Sequence, residues 1–123
     1  MKEIVREWCI KANSDLKSAQ ILFDEDIYDT SCFHSQQAVE KILKAFLIEN
    51  NIEIEKTHDL VKLIEDCSKV NLNFENLRSS VSRINSYAID ARYPTGHEIH
   101  KEEAHDALNE AKKITNIVKA ILE

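Results

Sequence analysis

Two side chains suited to phosphate chemistry flank the single proline and the single glycine of this chain. Arg92 and His97 bracket the stretch that holds Pro94 and Gly96, directly after a long helical pattern. A guanidinium is permanently charged and presents a planar fork of donors to phosphate oxygens, whereas an imidazole can move protons near neutral pH. Such a pair can bind a phosphodiester and, given a 2′-hydroxyl, help to cleave RNA without a metal. Arg92 and His97 are therefore the predicted catalytic pair.

The same two residues also have a purely structural interpretation. Arg92 could donate hydrogen bonds to helix carbonyls or pair with an acidic neighbour such as Asp90, and His97 could be a loop residue without a chemical role. A five-residue spacing recurs often by chance, so residue type and spacing leave both interpretations open.

Two polar stripes could extend such a site. His34, Gln37, Lys41 and Lys44 follow one another at three- and four-residue steps, which places them on one helix face. A later segment has a similar stripe, made of Arg78, Ser82, Asn85 and Arg92. Cations suit phosphates, and amides suit bases or ribose. The predicted nucleotide or phosphate ligands are Arg92, Lys41, Lys44, Gln37, His34 and Arg78. A solvated helix face is the alternative interpretation of each stripe.

Other chemistries lack a pattern in this chain. His97, His100 and His105 lie close in sequence, but the HExxH spacing is absent and no cysteine is near them. One glycine cannot build a glycine-rich phosphate loop, and no serine or cysteine triad has a local signature. We therefore predict no metal site and no cofactor.

Length and composition predict one domain spanning residues 1–123. The net charge of -6 argues against a broad basic surface that would grip any nucleic acid, although it leaves room for a small basic site. The chain begins with charged residues, and no apolar run approaches the ~18 residues of a membrane span, so a cytoplasmic protein without membrane contact is expected. The three cysteines are widely spaced and are interpreted as reduced packing residues.

Apolar residues recur at three- and four-residue steps along the whole chain, which is typical of helices. Asn50 and Asn51 suit a helix end, because Asn tolerates a left-handed backbone. Five segments are predicted: about residues 3 to 25, Asp29 to Asn50, a short helix capped by Thr57, one from near Asn73, and one from about His100 to the end. Short connections favour antiparallel neighbours. The predicted fold class is all-α, an antiparallel up-and-down bundle of four long helices plus one short helix.

Three blocks of the sequence resemble the HEPN domain family (higher eukaryotes and prokaryotes nucleotide-binding). They are the run CFHSQQAVEKILKA at residues 32–45, Thr57-His58-Asp59-Leu60, and Ala91-Arg92-Tyr93-Pro94. The resemblance covers nearly the whole chain. It implies a helical bundle, commonly a homodimer, often encoded in prokaryotes beside a minimal nucleotidyltransferase. Many relatives are ribonucleases, frequently toxins, whose arginine and histidine are spaced as Arg92 and His97 are and meet their symmetry mates across the dimer.

The resemblance favours a binding role and leaves two alternatives. Tyr93 follows Arg92 where active ribonucleases of the family usually carry a polar residue, and Ile99 replaces a tyrosine that the transferase modifies in some toxin pairs. This pattern favours a subunit that binds a nucleotide or RNA phosphate and pairs with a minimal nucleotidyltransferase in a toxin-antitoxin-like system. One alternative is a metal-independent endoribonuclease, with His97 as acid or base and Arg92 stabilising the pentavalent phosphate. The other is a structural dimerisation module.

Overall fold

Five α-helices make up the fold in the computed structural model, which describes residues 1–94 and 97–123. In chain order they are α1 (Glu3–Asp24), α2 (Tyr28–Glu49), α3 (Leu60–Val70), α4 (Arg78–Ala91) and α5 (Lys101–Leu122). This confirms the predicted all-α bundle of four longer helices plus one short helix. The predicted tight loop after α4 includes Thr95 and Gly96, which lie outside the described residues.

The four longer helices alternate in direction along the bundle. A tight turn, with Asp26 in the left-handed region at φ 61°, reverses the chain between α1 and α2. The amide of Lys2 then donates to Glu49 at 3.2 Å, which joins the start of α1 to the end of α2. Helices α4 and α5 are antiparallel as well, since Ser80 donates to Glu110 at 2.9 Å while the later Arg83 reaches back to Asp106 at 3.0 Å.

Helix α3 departs from the expectation that neighbouring helices run antiparallel. The chain leaves α2 through Asn51, whose φ of 61° confirms the predicted left-handed helix end. Residues 50–59 then return along α2, so that Gln36 donates to the carbonyl of His58 at 2.9 Å. Further on, the Cys67 thiol lies 3.7 Å from the carbonyl of Leu43. Helix α3 therefore runs in the same direction as α2, because a ten-residue connection is long enough to bring the chain back.

Helix α2 occupies the centre of the bundle and contacts every other α-helix. Its apolar side chains are almost wholly buried, and the rings of Phe46 and Phe74 pack with centroids 4.5 Å apart. Burying each such large side chain stabilises the fold by roughly 1.5–3 kcal/mol. Because so much of the helix is covered by neighbours, several of its polar residues are buried as well, among them Gln36, Glu40 and Lys44. Within the described ranges, no helix combines the length and the apolar character that crossing a bilayer requires.

The start of α3 differs from the prediction. Thr57 does not cap the helix: its hydroxyl accepts from the amide of Asp59 at 3.1 Å, and the Asp59 carboxylate accepts from the amide of Val61 at 3.0 Å. The predicted Thr57 cap is therefore wrong by two residues, because the carboxylate stands closer to the first free amides of the helix. A 3₁₀ helix, Leu72–Leu77, occupies the start predicted for α4.

The cysteines are free thiols, as predicted from their spacing. Cys32 and Cys67 are fully buried, and desolvation raises the pKa of each thiol to about 12. Buried, neutral thiols of this kind pack as small apolar side chains.

Candidate functional site

Arg92 stands at the rim of a small cavity where α4 ends. Its amide still donates to the carbonyl of Ile89 at 3.3 Å, but Pro94 disfavours any further helical turn. The cavity measures about 250 Å³ and is lined by His58, Asp59, Asn85, Ala88, Ile89 and Arg92. The guanidinium is exposed and forms no salt bridge with any residue of 1–94 or 97–123. In the described chain Arg92 therefore does not make the predicted alternative pair with Asp90, and its charge faces the cavity.

His97 lies in different surroundings. Its side chain is 65% exposed, with Nε2 3.5 Å from Glu103 Oε2 and the ring 6.3 Å from that of His100. It lines a larger cleft of about 620 Å³, between the α1–α2 turn and the segment before α5. The cleft also contains four carboxylates, those of Asp26, Asp29, Asp90 and Glu98. Such a negative lining repels phosphate groups.

Arg92 and His97 thus line separate cavities within one chain. Both are exposed at the end of the bundle where α4 stops. The catalytic pairing of Arg92 with His97 stays a prediction.

The polar stripe of α2 lies mostly against other helices instead of facing solvent. The buried carboxylate of Asp15, on α1, accepts from His34 Nδ1 at 3.0 Å and is also bonded to Lys41 Nζ. Lys44 is 7% exposed, and its Nζ donates to Glu40 Oε2 at 3.1 Å. Lys44 therefore does not lie on a solvated face, while His34 and Lys41 contact α1 and stay 28% and 25% exposed. The role of these residues as phosphate ligands stays a prediction. In the structure both lysines form salt bridges with carboxylates, Lys41 with Asp15 and Lys44 with Glu40.

Gln37, the remaining member of the stripe, is half-buried. Its Oε1 is buried and has no hydrogen-bond partner among the described residues. Ser35 and Thr115, elsewhere in the interior, carry buried hydroxyls without a partner in the same part of the chain, so an unpaired oxygen does not by itself single out Gln37.

Glu40 is buried, and it joins this interior network to the Arg92 cavity. Besides Lys44, its carboxylate accepts from Gln36 Nε2 at 3.4 Å and from His58 Nδ1 at 2.8 Å. A carboxylate accepts hydrogen bonds, so the proton of this contact is on Nδ1, and Nε2 of His58 is left for other partners. The side chain of His58 is 68% exposed. Sequence reasoning missed His58 as a site residue, although it stands in one of the three family blocks.

The polar stripe of α4 divides into two parts. Arg78 is held by Glu75, with bonds of 3.0 and 2.9 Å, and by Glu65 at 3.3 Å; these carboxylate bonds raise the pKa of its guanidinium further. Asn85 lies in the cavity with Arg92, and its Oδ1 accepts from the amide of Leu60 at 3.2 Å. Arg78 and Arg92 therefore do not share a groove, while Asn85 fixes the start of α3 beside Arg92.

A further polar cluster joins α4 to α5. Asp106 accepts from Arg83 at 3.0 Å and from the Tyr87 hydroxyl at 2.8 Å. Partial burial raises the pKa of the Asp106 carboxyl, but the bonds from Arg83 and Tyr87 outweigh it and leave that pKa below its ordinary value. Burial, followed by the bond to Asp106, raises the pKa of Tyr87 to about 12. Each polar group of this cluster has a partner within it, which indicates a structural role.

The chemistry available at the Arg92 cavity is anion binding. A guanidinium, an imidazole nitrogen and an amide meet there, and all of these can contact phosphate oxygens. Within residues 1–94 and 97–123, no three His, Cys, Asp or Glu side chains converge as a metal ion would require.

Comparison with solved structures gives close matches of the whole fold. The protein TT1696 from Thermus thermophilus has a TM-score of 0.86 and 28% identity over 97% of this chain and 98% of its own. The archaeal HEPN homologue ST0689 has a TM-score of 0.79 and 25% identity over 100% of both chains. The HEPN domain protein TM0613 from Thermotoga maritima shares the fold, with a TM-score of 0.77 and 23% identity over 94% of this chain and 97% of its own.

Sequence comparison points to the same family. A candidate toxin of Methanocaldococcus jannaschii, MJ1304, is 30% identical over 131 aligned positions, which cover 92% of this chain and 84% of that protein. The family model for the HEPN domain matches residues 5–121. With the bundle and the three sequence blocks in agreement, the chain belongs to the HEPN domain family.

Proposed function

We propose that this chain is the phosphate-binding subunit of a toxin-antitoxin-type system and binds a nucleotide or RNA phosphate at Arg92. One observation carries the proposal: Arg92 is exposed beside a cavity and forms no salt bridge within the described residues, whereas Lys41, Lys44 and Arg78 are held by carboxylates. A guanidinium without a carboxylate partner is available to bind an anion in a bidentate manner. The likeness to a candidate toxin supports the type of system.

The overall charge supports a single local site. With a net charge of -6, the chain cannot hold nucleic acid through a broad basic face. Binding then depends on a few hydrogen-bond donors that contact the phosphate directly, so removal of one of them has a large effect on affinity. This is the pattern expected for recognition of a phosphate group at a defined position.

The proposal includes two protein partners, a second copy of this chain and a minimal nucleotidyltransferase. Ile89 and Tyr93, beside Arg92, are 51% and 61% exposed. Exposed apolar side chains next to a functional arginine are suited to contact with another protein. Sedimentation of the purified chain tests the first partner, and co-purification with a transferase encoded beside it tests the second. A strict monomer at micromolar concentration, or a transferase that does not bind, removes that partner from the proposal.

A metal-independent endoribonuclease is the second candidate function. The observation in its favour is that His97 and Arg92 are both exposed at the same end of the bundle. In a dimer, the imidazole of one copy could then reach a phosphate held by the guanidinium of the other. The structural dimerisation module remains the third candidate, in which neither residue contacts a ligand.

Calorimetry with AMP and ATP tests the binding function. The wild-type chain should release or absorb heat on binding, and Arg92→Ala should weaken the affinity about tenfold or more, as expected for a charge-assisted contact. Arg6→Ala is the matched control, because Arg6 is an exposed arginine of α1 whose side chain pairs, among the described residues, only with the exposed Glu3. If no nucleotide binds, or if Arg6→Ala and Arg92→Ala have equal effects, Arg92 is not the binding residue.

Incubation with RNA in EDTA separates the second candidate from the first. Cleavage that is lost in both Arg92→Ala and His97→Ala would establish the ribonuclease. RNA that stays intact with the wild-type chain would exclude the ribonuclease and leave the binding subunit and the structural module as candidates.

A further inference from the structure

A carboxylate in the core of the bundle holds an imidazole at its surface. Glu40 is 5% exposed, yet its Oε1 lies 2.8 Å from Nδ1 of His58, whose side chain is 68% exposed. The carbonyl of His58 also accepts from Gln36 Nε2 at 2.9 Å. With both its ring and its backbone tied to α2, His58 is fixed in position although it belongs to the connection before α3.

The fixed ring belongs to the lining of the Arg92 cavity, and its second nitrogen is not used by Glu40. Since Nδ1–H donates to Glu40, Nε2 is the nitrogen available to a ligand. His58 and Arg92 line the same cavity of about 250 Å³, together with Asn85. His97, the histidine singled out from the sequence, lines a different one.

We propose that His58, positioned by the buried Glu40, joins Arg92 in binding a terminal phosphate group, either of a free nucleotide or of an RNA end. This inference rests on the proposed function and deepens it, because it names the second phosphate-binding residue and the class of phosphate. Arg92 supplies the permanent charge. His58 Nε2 shares a proton with the phosphate, which forms a hydrogen bond whether the imidazole or the phosphate carries that proton.

The size of the cavity favours a phosphate monoester. Ligand pockets for whole small molecules usually begin at roughly 300 Å³, so a cavity of about 250 Å³ holds a phosphate with its sugar and base outside. Ala88 and Ile89 form an apolar part of the lining. A terminal phosphate enters such a cavity with one ester oxygen pointing out, whereas an internal phosphodiester has to pass two ester oxygens. The terminal group also carries the larger negative charge for the two binding groups.

One carboxylate in the lining opposes an anion. Asp59 borders the cavity, but its Oδ1 accepts from the amide of Val61, and it caps the positive end of α3. That engagement reduces the repulsion a phosphate experiences. The requirement for two donors, Arg92 and His58, follows from the presence of this third, opposing charge.

His58→Asn is the informative variant, because the Asn side-chain amide can still donate to Glu40 in place of Nδ1 but has no atom in place of Nε2. By calorimetry, we expect His58→Asn to bind AMP about tenfold more weakly than the wild-type chain, and adenosine not to bind to either. A ten-nucleotide RNA with a 5′-phosphate should bind, and the same RNA without it should not. His105→Ala, an exposed histidine of α5, is the control and should bind AMP as the wild-type chain does.

The outcomes separate the two proposals. Suppose that AMP binds, that Arg92→Ala weakens this binding and that His58→Asn does not. The proposed function then stands, and the role of His58 is overturned. If the RNA binds equally with and without its 5′-phosphate, the proposed preference for a phosphate monoester is overturned. If no phosphate probe binds, the proposed function itself fails.

A second measurement needs no ligand. The ¹⁵N chemical shifts of the His58 ring in the free protein should show the proton on Nδ1 when the ring is neutral, because Glu40 accepts it. A neutral ring protonated on Nε2 would mean that Glu40 does not position His58, and would overturn that part of the inference.

Discussion

The lysines of α2 and the arginine at the end of α4 have similar chemistry but opposite surroundings. Lys41 and Lys44 are bonded to Asp15 and Glu40 inside the bundle, whereas Arg92 is exposed at a cavity and has no salt bridge in the described chain. The difference follows from the positions of the helices, since α2 lies at the centre of the bundle and α4 ends at the surface. A basic residue is thus available to a ligand only where packing leaves its charge without a partner.

The interior pairs exist because a buried charge is costly alone. Transfer of an ammonium group out of water costs several kcal/mol unless a carboxylate and further hydrogen bonds compensate it. Lys44 satisfies this condition through Glu40, and Glu40 in turn accepts from Gln36 and His58. Removal of one member should therefore cost more than the pair contributes when intact.

The largest effect is expected from Glu40→Ala, which leaves Lys44 buried without a partner. The free energy of unfolding should fall by about 3 kcal/mol or more. Urea denaturation followed by circular dichroism measures it. Glu3→Ala is the control, because the pair of Glu3 with Arg6 is exposed and should contribute nothing measurable. Equal midpoints for the two variants would show that the interior pair does not stabilise the bundle.

Asp15→Asn should have a smaller effect. The amide keeps the shape of the side chain but removes the charge that His34 and Lys41 contact, and these partners are 28% and 25% exposed. Solvent screens them in part, so the expected loss is about 1 kcal/mol. The same urea titration applies, with Glu25→Gln, an exposed change of acid to amide directly after α1, as the control. A loss as large as that of Glu40→Ala would mean that the contribution of these ion pairs to stability does not depend on their solvent exposure.

The Asp106 cluster lies between the two extremes and should depend on pH. Its carboxyl has a pKa below the ordinary value in the folded chain, so the unfolded chain binds this proton at higher pH. The stabilisation is present above the unfolded pKa of about 4 and is lost as the pH falls through the lower folded value.

Asp106→Asn should therefore lose less than about 1 kcal/mol at pH 7, because the carboxyl is partly exposed and screened. The difference from the wild-type chain should be nearly the same at pH 5 as at pH 7 and should shrink at about pH 3, below the unfolded pKa. A difference that stays constant over this range would mean that the charge of Asp106 is not what stabilises the contact.

The smallest effect on stability is expected from Arg92→Ala. No described residue loses a salt bridge, so the unfolding midpoint should match that of the wild-type chain while AMP affinity falls about tenfold or more. Arg78→Ala provides the reverse case, since Arg78 is bonded to Glu75 and Glu65 and should leave AMP binding intact. If Arg92→Ala unfolds much more readily than the wild-type chain, Arg92 is a structural residue.

Periodicity predicted the helices well because each carries an apolar face that must be buried. The environment of the polar stripe could not be predicted in this way. The spacing of Lys41 and Lys44 would be the same whether their helix face was solvated or packed against another helix. Asp15, the partner of Lys41, stands on α1 next to its apolar positions, and only the packed bundle shows that it turns inward. The likeness of the Thr57–Leu60 block to the family marked His58, but its contact with Glu40 spans 18 positions of sequence and required the fold.

The return of residues 50–59 along α2 orders part of the proposed binding site before a ligand arrives. Because His58 is tied to the core through Glu40 and through its own carbonyl, the imidazole is already ordered when the bundle has formed. A phosphate that enters the cavity then has little chain left to immobilise, so more of its contact energy is realised as affinity. Lengthening this segment by a few Gly and Ser residues would remove that advantage while the four longer helices stay assembled.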